Sequence, residues 1–260
     1  MKYFLKVIIL LLGFSFGCEI PNEFLNEKFQ YSLVFNLTVN REKQEFYIYR
    51  IVDDELEFYS GSPDRYFEKN ADISLFNSEF SFNSFIVKEL PNKNDFAKSL
   101  LYTNENELEL KPNTNYKIDI SVNDFLITGN TKTPSDFRII SPTANSTLNL
   151  VDLQNEKNIN IKWQKSLSAK GYFGQIYQTY IVEWPDTSFE ATRKYDFITQ
   201  DTLFNYSDYI RSTGTMDINI FAYDLNYHNH FIERFGPTGV EGGYGYFASS
   251  VKKSVSIILE

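Results

Sequence analysis

From Phe29 the chain alternates: Phe29, Tyr31, Leu33, Phe35, Leu37 and Val39 are apolar, and most positions between them are polar. A period of two sends successive side chains to opposite faces, so this stretch predicts a strand with one buried face. Strand-like runs recur at EFYIYRIV, ADISLF, FSFNSFIVKEL, NELEL, NYKIDISV and FLITGNTKT. Turn formers punctuate them, including Gly61-Ser62-Pro63, Pro91-Asn92 and Pro112-Asn113, which suit tight reversals. Only NDFAKSLL has the makings of a short helix. Many short strands with this punctuation predict an all-β sandwich or barrel.

TPSDFRIISP carries two prolines and follows the last strand of this series, so a boundary is expected near Pro134. A chain of this length suits two domains of ordinary size. The second half reads NINIKW, QTYIVEW, YDFITQ, TMDINIFAYD and KKSVSIIL, with Trp163 near the end of an early strand. In order and character these strands resemble a fibronectin type III or immunoglobulin-like sandwich. The expected layout is two β-sandwich domains of immunoglobulin or transthyretin-like type, 28–133 and 134–260, the second interrupted by an insertion at 224–250. Loops beyond about 15 residues are uncommon unless functional or disordered, and this one is too aromatic for disorder.

The chain opens MKYFLKVIILLLGFSFGC, with Lys2 and Lys6 flanking the start of an apolar run from Val7 to Phe16. That run is too short to span a bilayer as a helix, which needs about 20 apolar residues. A basic start, a short apolar segment and a small residue before the cut form a secretory signal. Ser15-Phe16-Gly17-Cys18 resembles the lipobox of bacterial lipoproteins, although Ser15 stands where Leu is usual. The resemblance implies a signal at 1–17, lipidation of Cys18 and a tether over 18–27. An ordinary signal with an incidental cysteine is the alternative. Cys18 is the single cysteine, so no internal disulfide is possible.

Losing Lys2 and Lys6 takes the formal charge from −9 to −11. Such acidity speaks against nucleic acid and anionic headgroups, whose phosphates need clustered Lys and Arg. Attachment to the membrane through an N-terminal lipid requires no basic patch, since acyl burial supplies the affinity.

His228 and His230 are the only histidines; read as a strand, their spacing puts both on one face. With Asp224 or Glu233 they suggest a metal site, provided a third ligand converges; the alternative is polar loop histidines. The G-x-S-x-G match at Gly13–Gly17 falls inside the expected signal and so is not read as a nucleophile elbow, and EGGYGYF lacks the spacing of a dinucleotide or phosphate loop, so no cofactor is expected. Its glycines suit positive φ in a tight aromatic loop. Glu183, Asp186 and Glu190 leave a glycosidase-type acid pair open, although most acids on so acidic a surface are solvated.

Tyr and Phe are abundant, and most fill strand cores. The aromatic density of GYFGQIYQTY and of the 224–250 segment is harder to absorb. Tyr227, Phe231, Phe235, Tyr244, Tyr246 and Phe247 are therefore candidate partner-binding residues, unless the segment is a hairpin that covers a sheet edge. Asp201-Thr202-Leu203 resembles the D-S/T-aliphatic site of Bacteroidota O-glycosylation, which would place a glycan on Thr202.

LKPNTNYKIDISV, TKTPSDFRIISP, NINIKW and EGGYGYFASSV, in that order, resemble a family of uncharacterised Bacteroidota outer-membrane lipoproteins often encoded beside TonB-dependent receptors. The resemblance implies no catalytic residues. It implies a non-catalytic accessory lipoprotein of the cell envelope, on the periplasmic or the surface face of the outer membrane, that partners a receptor protein there. A carbohydrate-binding or weakly hydrolytic surface lipoprotein is the second reading.

Overall fold

The computed structural model describes residues 30–51, 66–90, 99–149, 159–185, 187–206 and 213–260. The expected signal, tether and Cys18 lie outside them. The first strands are β1 (Tyr31–Val39), β2 (Glu45–Arg50), β3 (Asp72–Phe76), β4 (Ser81–Phe82), β5 (Phe85–Leu90), β6 (Ser99–Asn104), β7 (Asn115–Val122) and β8 (Phe125–Lys132). Then come β9 (Ile139–Ser141), β10 (Thr147–Leu148), β11 (Ile159–Trp163), β12 (Gly171–Trp184), β13 (Thr187–Thr199), β14 (Leu203–Tyr206) and β15 (Gly214–Tyr223). Helix α1 (Leu225–Phe231), β16 (Val240–Glu241) and β17 (Tyr244–Leu259) complete the order. No helix among the described residues is long and apolar enough to cross a membrane.

In the first sandwich β1, β2, β6 and β5 lie side by side and face β4, β3, β7, β8 and β16. Its core is the expected alternating set: Leu33, Phe35 and Leu37 of β1 with Phe46, Ile48, Leu75, Ile118, Ile120 and Ile127. Each such side chain contributes about 1.5–3 kcal/mol on full burial. Leading into β7, the buried Tyr116 hydroxyl accepts a hydrogen bond from the Lys111 amide at 2.7 Å. This tie between a strand and the turn before it is the tyrosine corner of immunoglobulin-like sandwiches. Two local expectations fail here. NELEL forms no strand, although Leu108 and Leu110 are buried. Of NDFAKSLL, expected as a short helix, Ser99–Leu101 belong instead to β6 and pair with β5, and 94–98 lie outside the described residues.

In the second sandwich β13, β12, β15 and β17 form one sheet and β14, β11 and β9 the other. Trp163 packs edge-on against Tyr172 with ring centroids 5.2 Å apart, among Ile161, Ile176, Met216, Ile218, Ile220 and Val255. Four strands against three, in this order, is the fibronectin type III-like arrangement expected for this half. The aromatic stretch GYFGQIYQTY is the start of β12, and Tyr172 and Ile176, on its inward face, are core.

β17 belongs to both sandwiches. Its residues Tyr244–Val251 run parallel to β1, and Ser250–Leu259 run antiparallel to β15. At Ser250 and Val251 both neighbours are paired at once. The segment 224–250, expected as an insertion of the second sandwich, thus returns to the first, where β16 pairs with β8. The physical reason is the edge of β1: a nine-residue strand with an unpaired flank is costly unless another strand satisfies it. Gly245 makes this pairing possible. It sits at φ +93°, and a Cβ there would overlap the Leu33 carbonyl.

Candidate functional site

Helix α1 begins where β15 ends. The Asp224 carboxylate caps it by accepting from the Tyr227 amide at 2.9 Å. The same buried carboxylate accepts from Ser249 Oγ of β17 (3.2 Å) and from Thr131 Oγ1 of β8, so one side chain ties the helix to both sandwiches. Burial pushes its pKa up, against the opposing pull of these donors. Asn226 adds a strap, its amide donating to the carbonyls of Asn130 (2.8 Å) and Phe247 (2.9 Å).

The helix carries an aromatic row. Tyr227 stacks on Tyr223 at 4.8 Å and touches Phe231 at 4.5 Å, and Phe231 meets Tyr246 edge-on at 5.0 Å. The six candidate aromatics therefore divide. Phe247 is fully buried against Phe35 at 5.4 Å, Tyr246 is 9% exposed and Tyr227 is half-buried. Phe247 is thus unavailable to a partner, contrary to expectation, because it points inward into the first core. Phe231 (43%), Phe235 (61%) and Tyr244 (38%) remain exposed, beside exposed Leu225 and Ile232.

His228 and His230 lie on this helix and not on a strand. Two residues apart on a helix they point to nearly opposite sides: His228 Nε2 lies 3.2 Å from Glu233 Oε1, while the His230 ring packs on Tyr246 at 4.5 Å. The metal-pair geometry expected of a strand is absent. No group of three His, Cys, Asp or Glu side chains suited to a metal gathers among the described residues. Burial pulls the His230 pKa down.

Beside the helix, where the two sandwiches meet, a groove of about 200 Å³ opens on the outer face of the shared sheet. Phe173 of β12 and Phe221 of β15 are direct cross-strand partners, with rings 5.7 Å apart. They form its apolar wall with Tyr223 and Tyr227. Asn36 and Thr38 of β1, Ser250 of β17 and Gln175 of β12 form a polar floor, and Arg41 stands at the rim. Ser250 Oγ shares a hydrogen bond with Thr38 Oγ1 (3.1 Å) and accepts one from Asn36 Nδ2 (3.3 Å). Asn36 Oδ1 is buried without a hydrogen-bond partner. Arg41 is engaged by Glu45 in an ion pair. A wider hollow of about 560 Å³ lies at the turns of Phe76–Glu79 and Asn113–Asn115. It is a gap between turns rather than an apolar pocket: Asn77 Oδ1, for one, already accepts the Glu79 and Phe80 amides.

Of the groove residues, only Tyr227 is a candidate in the sequence by number, and Phe173 and Gln175 fall within the aromatic stretch GYFGQIYQTY. The groove itself has one visible signal, two phenylalanines, Phe173 and Phe221, on the outward positions of alternating strands. Of the candidate acids, Glu183 and Glu190 are exposed on the β12–β13 hairpin and line no cavity described here; Asp186 lies outside the described residues. Thr202 sits half-buried in the turn before β14, its carbonyl accepting from the Trp163 amide at 3.0 Å.

No family model and no curated protein sequence matches the chain. Among solved structures it is similar to the FN1–FN3 domains of chicken CNTN1 at 12% identity, covering 88% of this chain and 63% of that one, with a TM-score of 0.23. Two titin fragments are similar at 7% and 8% identity, with TM-scores of 0.20 and 0.21. The matches cover 88% and 89% of this chain and 66% and 97% of the fragments. The chain thus spans slightly under two-thirds of the CNTN1 structure and of the first titin fragment. At such scores the chains do not superpose as wholes, so the sandwich assignment rests on strand order. No catalytic family is identified.

Proposed function

We propose that the protein is a non-catalytic binding component of the bacterial cell envelope, held to the outer membrane by a lipid on Cys18, that serves an uptake receptor as an accessory. The observation that carries the binding part is the exposed apolar patch of Leu225, Phe231, Ile232, Phe235 and Tyr244, presented by an element braced against both sandwiches. Exposed aromatics on a rigid support suit a protein partner. The anchor and the envelope location are supported by the Ser15–Cys18 motif, and the receptor by the order of sequence motifs given above. The second reading, a carbohydrate-binding lipoprotein, is favoured by the groove beside the patch.

The test is expression in a Bacteroidota host followed by intact-mass spectrometry, membrane fractionation and co-purification after crosslinking. The wild type is expected to carry lipid mass and to sediment with membranes, and Cys18→Ser to fold and be released. A glycan on Thr202, proposed on its three-residue motif, appears in the same spectrum as hexose mass lost in Thr202→Ala. Phe231→Ser with Phe235→Ser is expected to keep the protein membrane-bound and lose the crosslinked partner. A wild type without lipid mass refutes the anchor, and a double variant that retains the partner moves the contact elsewhere.

A further inference from the structure

We infer that the junction groove binds a single neutral sugar ring. This deepens the binding reading by naming a ligand class, and it stands on the groove alone. Three observations select the class. The first is volume: about 200 Å³ lies below the roughly 300–1,000 Å³ of pockets for drug-sized ligands, so the occupant is about one ring in size. The second is the division of the lining. One wall is aromatic (Phe173, Phe221, Tyr223, Tyr227) and the floor is amide and hydroxyl (Asn36, Thr38, Gln175, Ser250). A pyranose has the matching surfaces, a C–H face for aromatic rings and a hydroxyl edge for amides.

The third observation is charge. Arg41 is the one cation in the lining and is already paired with Glu45, and the nearby Lys252 ammonium lies over the Phe221 ring, 5.8 Å from its centroid, so both cations near the groove already have partners. The floor instead has an unmet acceptor, since Asn36 Oδ1 is buried without a donor. A buried acceptor left unpaired is costly, and a ligand hydroxyl supplies the missing proton. In the bound state the Asn36 side chain turns toward the groove so that one sugar hydroxyl donates to Oδ1, a neighbouring hydroxyl exchanges a hydrogen bond with the half-buried Gln175, and the ring lies against Phe173 and Phe221. A ligand this small, contacted on one face and one edge, is expected at a Kd on the order of 1 mM.

Saturation-transfer NMR and calorimetric titration of the folded protein with glucose, galactose, mannose and N-acetylglucosamine test this, with acetate and inorganic phosphate as charged controls. At least one sugar is expected to bind at millimolar concentration. Asn36→Leu and Phe221→Ala are each expected to weaken it by about tenfold or more, while Phe189→Ser, exposed near the tip of the β12–β13 hairpin, leaves it unchanged. If Asn36→Leu fails to fold, Gln175→Ala, on the outward face of β12, takes its place. Binding of none of the four sugars to folded wild type overturns the inference. So does sugar binding that survives both groove substitutions, or acetate or phosphate competing for the same residues. Crosslinking through Phe231 and Phe235 does not depend on Asn36, so failure here and failure of the accessory reading are separately visible.

Discussion

Between Gly245 and Val251 every residue of β17 is buried, whereas from Lys252 to Leu259 burial alternates after the two half-buried lysines. The strand is continuous; what differs is the material on its outer face. The first half has the core of the first sandwich on one side and the aromatic row of α1 on the other, and Thr238 bridges its flank at Tyr246. The second half has a core on one side and water on the other. The side chains follow. Ala248, Ser249 and Ser250 are small, and the two buried hydroxyls are hydrogen-bonded, Ser249 to Asp224 and Ser250 to Thr38. Burial on both faces thus demands small or aromatic residues with every polar atom met, while burial on one face demands only alternation.

The strongest test of this contrast removes one buried residue from the first half and one outward-facing residue from the second. Phe247→Ala is expected to cost about 3–5 kcal/mol, as large core truncations do. Ile258→Ala, at a position 42% exposed, is expected to cost less than about 1 kcal/mol. Denaturant midpoints at constant slope measure both, and comparable losses would erase the distinction between the halves. Gly245→Ala follows, at about 1–3 kcal/mol for forcing a side chain into positive φ. The same titration reads it, and an unchanged midpoint would mean that the parallel pairing with β1 does not need the glycine.

The smallest effects are in pH. The Asp224 pKa is raised by burial above 3.8, so the folded state holds that proton more tightly than the unfolded chain. Its contribution is full below 3.8 and is lost as pH rises through the higher folded value. The His230 pKa is lowered by burial below 6.5. Its contribution is full above 6.5 and is lost as pH falls through the lower folded value. Melting temperature against pH is expected to lose the first slope in Asp224→Asn, which keeps a good cap, and the second in His230→Gln. Slopes that persist would place the titrating groups outside the α1 junction.

This contrast also marks what the sequence could reveal. β1, β7, β8, β11 and β15 were readable because one face is core and the other is not, which writes a period of two into the chain. The first half of β17 was not, because covering both faces erases that period, and GYFASSV reads as an aromatic loop. α1 was misread for a different reason. Its seven residues are too few for a helical period to stand out, so YHNHF passed for a strand and the histidines for a same-face pair. Tyr227 and Phe231, four apart, were its one helical sign. The groove was invisible because it draws on β1, β12, β15, α1 and β17. Asn36 meets Ser250 across 214 positions of sequence, and nothing local to either residue announces the other.

The shared strand also sets how the molecule would carry mechanical load. β1 and the first half of β17 are parallel and in register over eight pairs, from Ser32 with Tyr244 to Val39 with Val251. Tension applied between the start of β1 and the end of β17 pulls these strands along their length in opposite directions. Their hydrogen bonds lie across the pull, so they are loaded together in shear rather than peeled one after another. The same tension passes through Ser250 and Val251 into β15 without crossing a loop. A chain built this way transmits force from one sandwich to the other through backbone pairing, and the groove lies beside that line of force.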